Sequence, residues 1–344
     1  MTRLRSRHLA ILGVVLTTTL AAPATRARDR VIVVGSSTVF PFGTAVAEAF
    51  GRKGGWRTPV IESIGTGGGF KLFCGGVGID TPDVNEASRP MSDSKREACA
   101  RNGVGPAIGI RIGLEAIVIA SSRRAAPFDL SAEQLYRAVA KSVPVAGHLV
   151  PNPYRRWSDL GPGLPKRPIA IFGPASNHGT RDAFVALVMA PVCERLPAVR
   201  ALLKAQQRET CQAVREDGAW VDVAGDYGLL LGKLANDPGA VAVFTYSYFD
   251  QNRDKIQVAR LDGIEPTPQT ILAFRYRGAR PLLIYGKQAH VAVVPDLAEF
   301  VQEYLNEATV GKDGYLVDKG LVPLPAAWLE LERAKAIALA VRRP

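Results

Sequence analysis

The sequence has 344 residues, of which 47% are hydrophobic and 22% charged, and its formal net charge is +11. This composition is typical of a globular protein, and the length allows two domains with buried cores, so a disordered chain is excluded. Its basic residues are scattered and are not interleaved with aromatics, which argues against a dedicated nucleic-acid-binding face. A positive field suits an anionic ligand.

Residues 1–27 are predicted to be a secretory signal peptide. Three arginines near the start precede an apolar stretch, residues 9–22, which is too short to span a membrane. Small residues follow, and cleavage is expected after Ala24 or Ala27; an uncleaved anchor is the alternative. We therefore expect an exported, periplasmic protein.

The N-terminal part of the mature chain is predicted to alternate strands with helices. A strand over 31–34 leads through a small polar turn, Gly35 to Thr38, into an apolar-periodic helix over 40–50. A strand over 59–64 is followed by a second small-residue turn, Gly65 to Gly69, and then by a helix. Alternation at this spacing predicts a mostly parallel sheet flanked by helices.

Two continuous apolar strands, residues 114–121 and 239–246, are interpreted as the crossings between two domains. Between them the sequence predicts a capped helix that starts after Ser131, a proline-rich loop over 144–168 and further helices. A long amphipathic helix is predicted over 325–341. The resulting prediction is an α/β protein with residues 28–115 and 247–344 in domain I, residues 116–246 in domain II, and a ligand cleft between them.

A third small polar turn, residues 173–180, lies between a predicted strand and a predicted helix. The N-terminus of a helix presents unpaired N–H groups and partial positive charge, and Arg181 adds a fork of donors, so this turn is a candidate oxyanion site. The simpler interpretation is that Ser176 or Asn177 only caps the helix. Because three such turns each open a helix, we expect them to converge on one tetrahedral anion.

Four cysteines remain in the mature chain, and an exported protein with an even number favours disulfides. Of the three pairings, we favour Cys74–Cys99 and Cys193–Cys211 because each pair is local. A zinc site is the alternative, but no C-x-x-C motif and no nearby histidine support it.

Seven motifs occur in an order that resembles the PstS-like periplasmic substrate-binding proteins of phosphate ABC transporters. Four of them contain the residues that bind phosphate in that family: residues 35–41 (GSSTVFP), 65–69 (GTGGG), 87–90 (ASRP) and 178–181 (HGTR). The other three are 157–160 (WSDL), 238–241 (PGAV) and 261–267 (LDGIEPT), the last followed by 280–285 (RPLLIY). The resemblance covers about residues 29–325 and implies the two-domain type II periplasmic-binding-protein fold with two hinge crossings.

The resemblance also implies a set of phosphate ligands. By motif they are Ser37, Thr38, Thr66, Gly67, Arg89, His178, Gly179, Thr180 and Arg181. Alternatives remain for three of them: Arg89 as a solvated loop residue, Arg181 as an ion-pair partner on the helix surface, and His178 as a side chain that fills the mouth of the cleft.

Two positions depart from the better-known members of that family. Those members carry an aspartate where this chain has Arg89, and a serine where it has His178. The family's aspartate accepts a proton from hydrogen phosphate and so excludes sulfate. Its absence predicts weaker discrimination between phosphate and sulfate here.

We therefore predict a monomeric receptor for inorganic phosphate or a close oxyanion that serves the permease subunits of an ABC importer. No cofactor, metal site or nucleic-acid partner is predicted. The alternative is an oxyanion-binding sensor or surface protein that is not coupled to transport. A phosphate-ester hydrolase is disfavoured because the sequence shows no Ser-His-Asp set and no cluster of metal-binding carboxylates.

Overall fold

A computed structural model describes residues 28–176, 178–223 and 227–341, so the predicted signal peptide lies outside the described residues. Within these ranges the strands are β1 (Ile32–Gly35), β2 (Val60–Ser63), β3 (Val84–Ala87), β4 (Gly109–Ser122), β5 (Ser142–Val145), β6 (His148–Pro151), β7 (Ile171–Pro174), β8 (Trp220–Val223), β9 (Val241–Thr245), β10 (Ile256–Val258) and β11 (Ala279–Gly286).

Helices connect and cover the strands. They are α1 (Phe40–Arg52), α2 (Gly65–Phe73), α3 (Asp93–Arg101), α4 (Ala132–Val139), α5 (Gly179–Phe184), α6 (Ala190–Cys193), α7 (Pro197–Arg200), α8 (Lys204–Gln212), α9 (Tyr227–Asn236), α10 (Tyr246–Asp250), α11 (Pro268–Leu272), α12 (Leu297–Glu303), α13 (Glu307–Val310) and α14 (Ala326–Ala340). A π-helical turn, Val185–Met189, joins α5 to α6, and short 3₁₀ turns cover Trp157–Leu160 and Gln288–His290.

The main sheet has the strand order β2-β1-β3-β11-β4-β9-β7-β8, with β10 paired to β4. The strands are parallel within each outer trio, β2-β1-β3 and β9-β7-β8, and antiparallel around β11 and β4. The long strand β4 pairs with β11 as far as Ala116 and with β9 from Ile117 onward. One strand therefore joins the two halves of a mixed α/β sheet, in agreement with the predicted fold class.

Hydrophobic burial holds the elements together in a large core and a smaller one. The large core includes Val33 from β1, Ile112 from β4 and Phe244 from β9, all fully buried. The smaller core lies under α2 and α3 and includes Phe70, Phe73 and the disulfide-bonded pair Cys74–Cys99. A second disulfide, Cys193–Cys211, joins α6 to α8, so both predicted pairings are confirmed.

Most of the predicted elements are present, but three local predictions are wrong. Residues 65–69 begin helix α2 rather than forming a separate turn. Glycine is needed at Gly69 because a Cβ there would clash with the Gly35 backbone and the Asn85 side chain. The proline-rich loop over 144–168 contains the β5-β6 hairpin and a 3₁₀ turn. Strands β3 and β8, which were not predicted, are short and lack the long apolar runs of β4 and β9.

The C-terminal helix α14 forms where it was predicted, but three of its large apolar side chains are exposed. Leu329, Glu332, Ala336 and Leu339 are buried, whereas Trp328, Leu331 and Ile337 are exposed. Glu332 is accommodated because its carboxylate accepts hydrogen bonds from the Arg111 amide, at 2.9 Å, and from Lys335, at 2.8 Å. A charged residue is thus buried in a helix that leaves apolar side chains exposed, which a simple amphipathic pattern does not predict.

Candidate functional site

The first candidate turn connects β1 to α1 and is fixed by backbone hydrogen bonds. The Ser36 amide donates to the Glu86 carbonyl at 2.9 Å, and the Ser36 carbonyl accepts from the Val39 and Phe40 amides. Gly35 is required here because it has a φ of +141° and a Cβ would lie 2.1 Å from the Glu86 carbonyl oxygen. Ser37 and Thr38 are thereby held at the N-terminal end of α1.

The second and third motifs contact each other through Thr66. The Thr66 hydroxyl, in the first turn of α2, accepts a hydrogen bond from the Ser88 amide at 3.2 Å and lies 3.3 Å from the Ser88 hydroxyl. Gly67 lies next to the Arg89 guanidinium, since a Cβ on Gly67 would be 3.5 Å from Nη2. Arg89 itself is exposed. These contacts bring Thr66, Gly67 and Arg89 together at the end of β3.

The fourth motif begins helix α5, and its cap is His178. The imidazole Nδ1 of His178 accepts a hydrogen bond from the Thr180 amide at 3.2 Å. His178 therefore occupies the cap position that the sequence analysis assigned to Ser176 or Asn177, and Asn177 itself lies outside the described residues. Burial, with a smaller contribution from the charge of Arg280, lowers the pKa of His178, so this side chain is neutral at pH 7.

A hydrogen bond connects the first motif to the fourth, which lie on different halves of the sheet. The Gly179 amide donates to Ser37 Oγ at 3.2 Å. Thr180 is fully buried, and its hydroxyl lies 2.5 Å from the phenol oxygen of Tyr227 at the start of α9. The first motif therefore contacts the fourth through Ser37 and Gly179, and the second contacts the third through Thr66 and Ser88.

Arg181 is engaged by protein groups in this structure. Its Nη1 donates to Asp222 at 2.8 Å and to the Pro174 carbonyl at 3.2 Å, and the guanidinium stacks on the Trp220 ring at 4.5 Å. Arg181 therefore forms an ion pair, as the alternative interpretation of this residue proposed, and its partner Asp222 lies in β8. Arg181 nevertheless lines the same cavity as Arg89, of about 570 Å³, which also includes Ser176 and Glu194.

The sequence reasoning missed Arg280, the most deeply buried arginine of the site. It lies in the central strand β11 with only 2% of its surface exposed, and its Nη2 donates to the Thr38 hydroxyl at 2.9 Å. Among the described residues its Nε and Nη1 have no hydrogen-bond partner. Burial lowers the pKa of Arg280 to about 10, so the group stays charged at pH 7. The sequence feature that could have identified Arg280 is its position as the one charged residue in the apolar run 279–285.

A second buried polar group, Glu115, faces Arg280 from the neighbouring strand. The two residues are directly paired in the β4-β11 register. Glu115 Oε1 accepts from the Ala116 amide at 2.9 Å and from the Ser247 amide at 3.1 Å. Oε2 has no partner among the described residues, and burial raises the pKa of this carboxyl.

Together these residues provide groups of the kind that bind oxyanions. They are a buried guanidinium whose Nε and Nη1 lack a partner among the described residues, hydroxyls from Ser37 and Thr38, and the N-terminal ends of α1 and α5. The described residues contain no group of His, Cys, Asp and Glu side chains that could hold a metal ion. No helix in the described part of the chain is long and apolar enough to cross a membrane.

The chain is similar to known proteins in both sequence and fold. A family model described as a PBP superfamily domain matches residues 20–309. Protein SphX of Synechococcus elongatus is 28% identical over 309 residues, which is 88% of this chain and 80% of SphX. The phosphate-binding protein PstS of Staphylococcus saprophyticus is 25% identical over 300 residues, 85% of this chain and 79% of PstS. The crystal structure of a possible phosphate binding protein from Planctomyces limnophilus matches with a TM-score of 0.62 and 25% identity, and covers 91% of this chain and 99% of that one.

Proposed function

Because this chain belongs to the PBP superfamily, we propose that it is a periplasmic receptor that captures inorganic phosphate and delivers it to an ABC importer. The PstS and SphX relatives confirm the family resemblance that the sequence motifs predict. The name of the staphylococcal relative, phosphate-binding protein, supports phosphate as the ligand.

The proposal rests on one observation: Arg280 is buried and charged but lacks its full set of hydrogen-bond partners among the described residues. A buried charge without enough partners is strongly unfavourable, by several kcal/mol. Arg280 keeps its charge, yet two of its three nitrogens have no partner among the described residues. A tetrahedral oxyanion beside Thr38 supplies the missing acceptors and the missing negative charge. The buried charge and the unpartnered donors of Arg280 therefore support the proposal that an anion binds here.

The surrounding motifs supply the remaining donors in this proposal. The Ser37 and Thr38 hydroxyls and the Thr66–Gly67 segment approach the anion from one half of the sheet. The Gly179 and Thr180 amides approach it from the other half, with His178 at the edge. Arg89 adds charge from the exposed mouth, and Arg181 contributes from α5 in an orientation set by Asp222.

The domain assignment is part of the same proposal. We assign residues 28–115 and 247–344 to domain I and residues 116–246 to domain II, joined through β4 and β9. The site then lies between the domains, and ligand capture closes them around the anion. The predicted signal peptide directs the chain to the periplasm, where it acts as a monomer that docks on the permease subunits without catalysing a reaction.

Calorimetric titration of the mature chain, residues 28–344, tests the proposal. We expect heat of binding with phosphate and with its isostere arsenate, and weaker binding of methylphosphonate, which replaces one oxygen by a methyl group. Size-exclusion chromatography in the same buffer is expected to give a monomer with and without phosphate. An absence of binding heat for every oxyanion tested at several temperatures would contradict the proposed function.

A further inference from the structure

The cavity that Arg89 and Arg181 share is larger than the proposed ligand requires. Its volume is about 570 Å³, and both arginines are among the phosphate ligands that the motifs imply. Burial lowers the pKa of Arg280 to about 10 and the charge of Arg89 adds to this shift, so the cavity begins within electrostatic reach of the buried arginine. Pockets of about 300–1,000 Å³ hold organic molecules of drug size, and a phosphate ion fills only a small part of such a volume.

One wall of this cavity is a continuous helical segment with a π-helical turn at its centre. Helix α5, the turn Val185–Met189 and helix α6 follow one another without a break. The apolar side chains of Val185, Ala186 and Ala190 line the cavity along this segment. Such π-helical turns are rare, and they occur frequently at functional sites. The middle of the cavity is therefore apolar, and it follows the two arginines directly.

The far end of the cavity carries hydrogen-bond acceptors that a disulfide positions. Glu194 and Gln212 both line the cavity, and each directly follows one cysteine of the Cys193–Cys211 pair. The disulfide joins α6 to α8 with a Cα–Cα distance of 5.4 Å, so these two side chains start from neighbouring positions of the backbone. A carboxylate and an amide are thus held side by side at the end of the apolar wall.

The distribution of charge along the cavity selects the kind of ligand. Arg89 and Arg181 offer positive charge and planar donor groups to a phosphoryl group at one end. Asp182 and Glu194 add negative charge to the lining, which disfavours a second phosphate beyond the arginines. Carboxylates and amide oxygens accept hydrogen bonds from hydroxyl groups. The cavity therefore matches an organic phosphate whose carbon skeleton lies on the apolar wall and whose hydroxyls reach the acceptors.

We propose that the site also binds phosphomonoesters of sugars and other polyols, with the phosphoryl group at the arginines and the polyol in the cavity beyond them. This inference rests on the proposed function and names a wider substrate class for the same site. A monoester keeps three terminal oxygens that accept the donors of the phosphate site. Its fourth oxygen leads the polyol outward past Arg89, which is exposed. Inorganic phosphate occupies the phosphoryl position alone.

Calorimetric titration of the mature chain with glucose 6-phosphate tests the inference, beside inorganic phosphate and glucose, which are the two halves of this ligand. We expect glucose 6-phosphate to bind and to compete with inorganic phosphate, and glucose alone to give no heat of binding. Cyclohexyl phosphate carries a six-membered ring without hydroxyls. It should bind at least about threefold more weakly than glucose 6-phosphate, because it lacks the hydrogen bonds to the acceptors of the cavity.

The Ala186→Trp variant separates the two parts of the site. Ala186 is exposed on the wall of the cavity, so an indole ring there takes the space of the polyol. We expect this variant to bind glucose 6-phosphate about tenfold more weakly or worse, and to change the affinity for inorganic phosphate by less than about twofold. Ala334→Trp is the matched control, because Ala334 is exposed on helix α14 and does not line the cavity; both affinities should stay at the wild-type value.

The titrations of the wild-type chain decide the question even if Ala186→Trp does not fold. Binding of phosphate without binding of glucose 6-phosphate overturns the inference and leaves the phosphate receptor intact. The inference is equally overturned if phosphate does not displace glucose 6-phosphate, if cyclohexyl phosphate binds as tightly as the sugar phosphate, or if a folded Ala186→Trp keeps the full affinity for glucose 6-phosphate. Failure of the wild-type chain to bind inorganic phosphate overturns the proposed function instead.

Discussion

The Gly179 amide donates a hydrogen bond to Ser37 Oγ at 3.2 Å, which joins two turns that are 142 residues apart in sequence. Both turns begin helices, α1 and α5, and both carry proposed anion ligands. An arriving anion offers stronger acceptors than a serine hydroxyl, because hydrogen bonds to charged groups are shorter and stronger than neutral ones. The contact therefore marks where the two halves of the proposed site meet.

Substituting Gly179 by alanine is expected to weaken phosphate binding by about tenfold or more, equivalent to about 1.4 kcal/mol. A Cβ at this position would lie 2.8 Å from Ser37 Oγ, so the methyl group pushes the two turns apart. Gly232→Ala in α9 is the matched control, since a Cβ there meets nothing within 4 Å. The control should bind phosphate normally and unfold at a slightly higher temperature, because alanine favours helix by about 1 kcal/mol. Equal phosphate affinities for the two variants would contradict the prediction.

Substituting Arg89 by alanine is expected to weaken phosphate binding by about three- to tenfold at low salt. Arg89 is exposed beside Gly67 at the mouth of the site, so solvent screens its charge and the effect is smaller than for a buried arginine. The loss should shrink as sodium chloride is added. Arg123→Ala is the control, because Arg123 is bonded to the Arg253 carbonyl at the far end of β4. Wild-type affinity and salt dependence in Arg89→Ala would make Arg89 a solvated loop residue.

Both disulfides are expected to form in the exported protein and to stabilise it. Replacing either pair, Cys74–Cys99 or Cys193–Cys211, by serines should lower the free energy of unfolding by about 3 kcal/mol in urea denaturation. Mass spectrometry after alkylation without reductant should find no free thiol. Alkylation of all four cysteines in the native protein would contradict this pairing.

Stability is expected to fall with rising pH through the titration of Glu86. Burial raises its pKa from 4.5 to about 8, although the hydrogen bond from Tyr304 partly opposes this. Below pH 4.5 the group is protonated in both the folded and the unfolded chain. Between pH 4.5 and about 8 only the unfolded chain loses the proton, so the folded state loses stability over that window.

The Glu86→Gln variant checks this prediction by thermal and urea unfolding at two pH values. Its stability relative to wild type should improve by roughly 1–3 kcal/mol between about pH 4 and about pH 8.5, since glutamine does not titrate. A constant difference between the two proteins across this range would show that Glu86 does not carry the pH dependence.

Much of this fold could be predicted from local patterns. The continuous apolar runs of β4 and β9 predicted the central strands, and the serine-to-glutamine capping box predicted α4, whose Ser131 hydroxyl accepts from the Gln134 amide. Helix α2 could not be predicted to begin at Gly65, because glycine has low helix propensity and the close approach of Gly69 to Gly35 is a long-range contact that no local pattern shows.

The site was predictable only where its residues sit in contiguous motifs. Ser37, Thr66 and Gly179 each follow a strand and open a helix, which sequence spacing can reveal. Arg280 and Glu115 meet only through the antiparallel register of β11 and β4, whose residues are 165 positions apart along the chain. Both are charged residues in largely apolar strands, and no local pattern relates them.

The dissociation constant of phosphate for Arg280→Ala, measured by calorimetry beside the wild-type chain, tests the central claim most directly. Arg277→Ala serves as the control because Arg277 pairs with Asp262 at the surface, and Arg280→Lys, which keeps a charge, serves if the alanine variant does not fold. Loss of a buried charged donor is expected to weaken binding by about 100-fold, or about 3 kcal/mol, in Arg280→Ala, with a smaller loss in Arg280→Lys. Arg277→Ala should stay within about twofold of wild type. Phosphate binding by a folded Arg280→Ala with wild-type affinity would contradict the assignment of this arginine as the centre of the site.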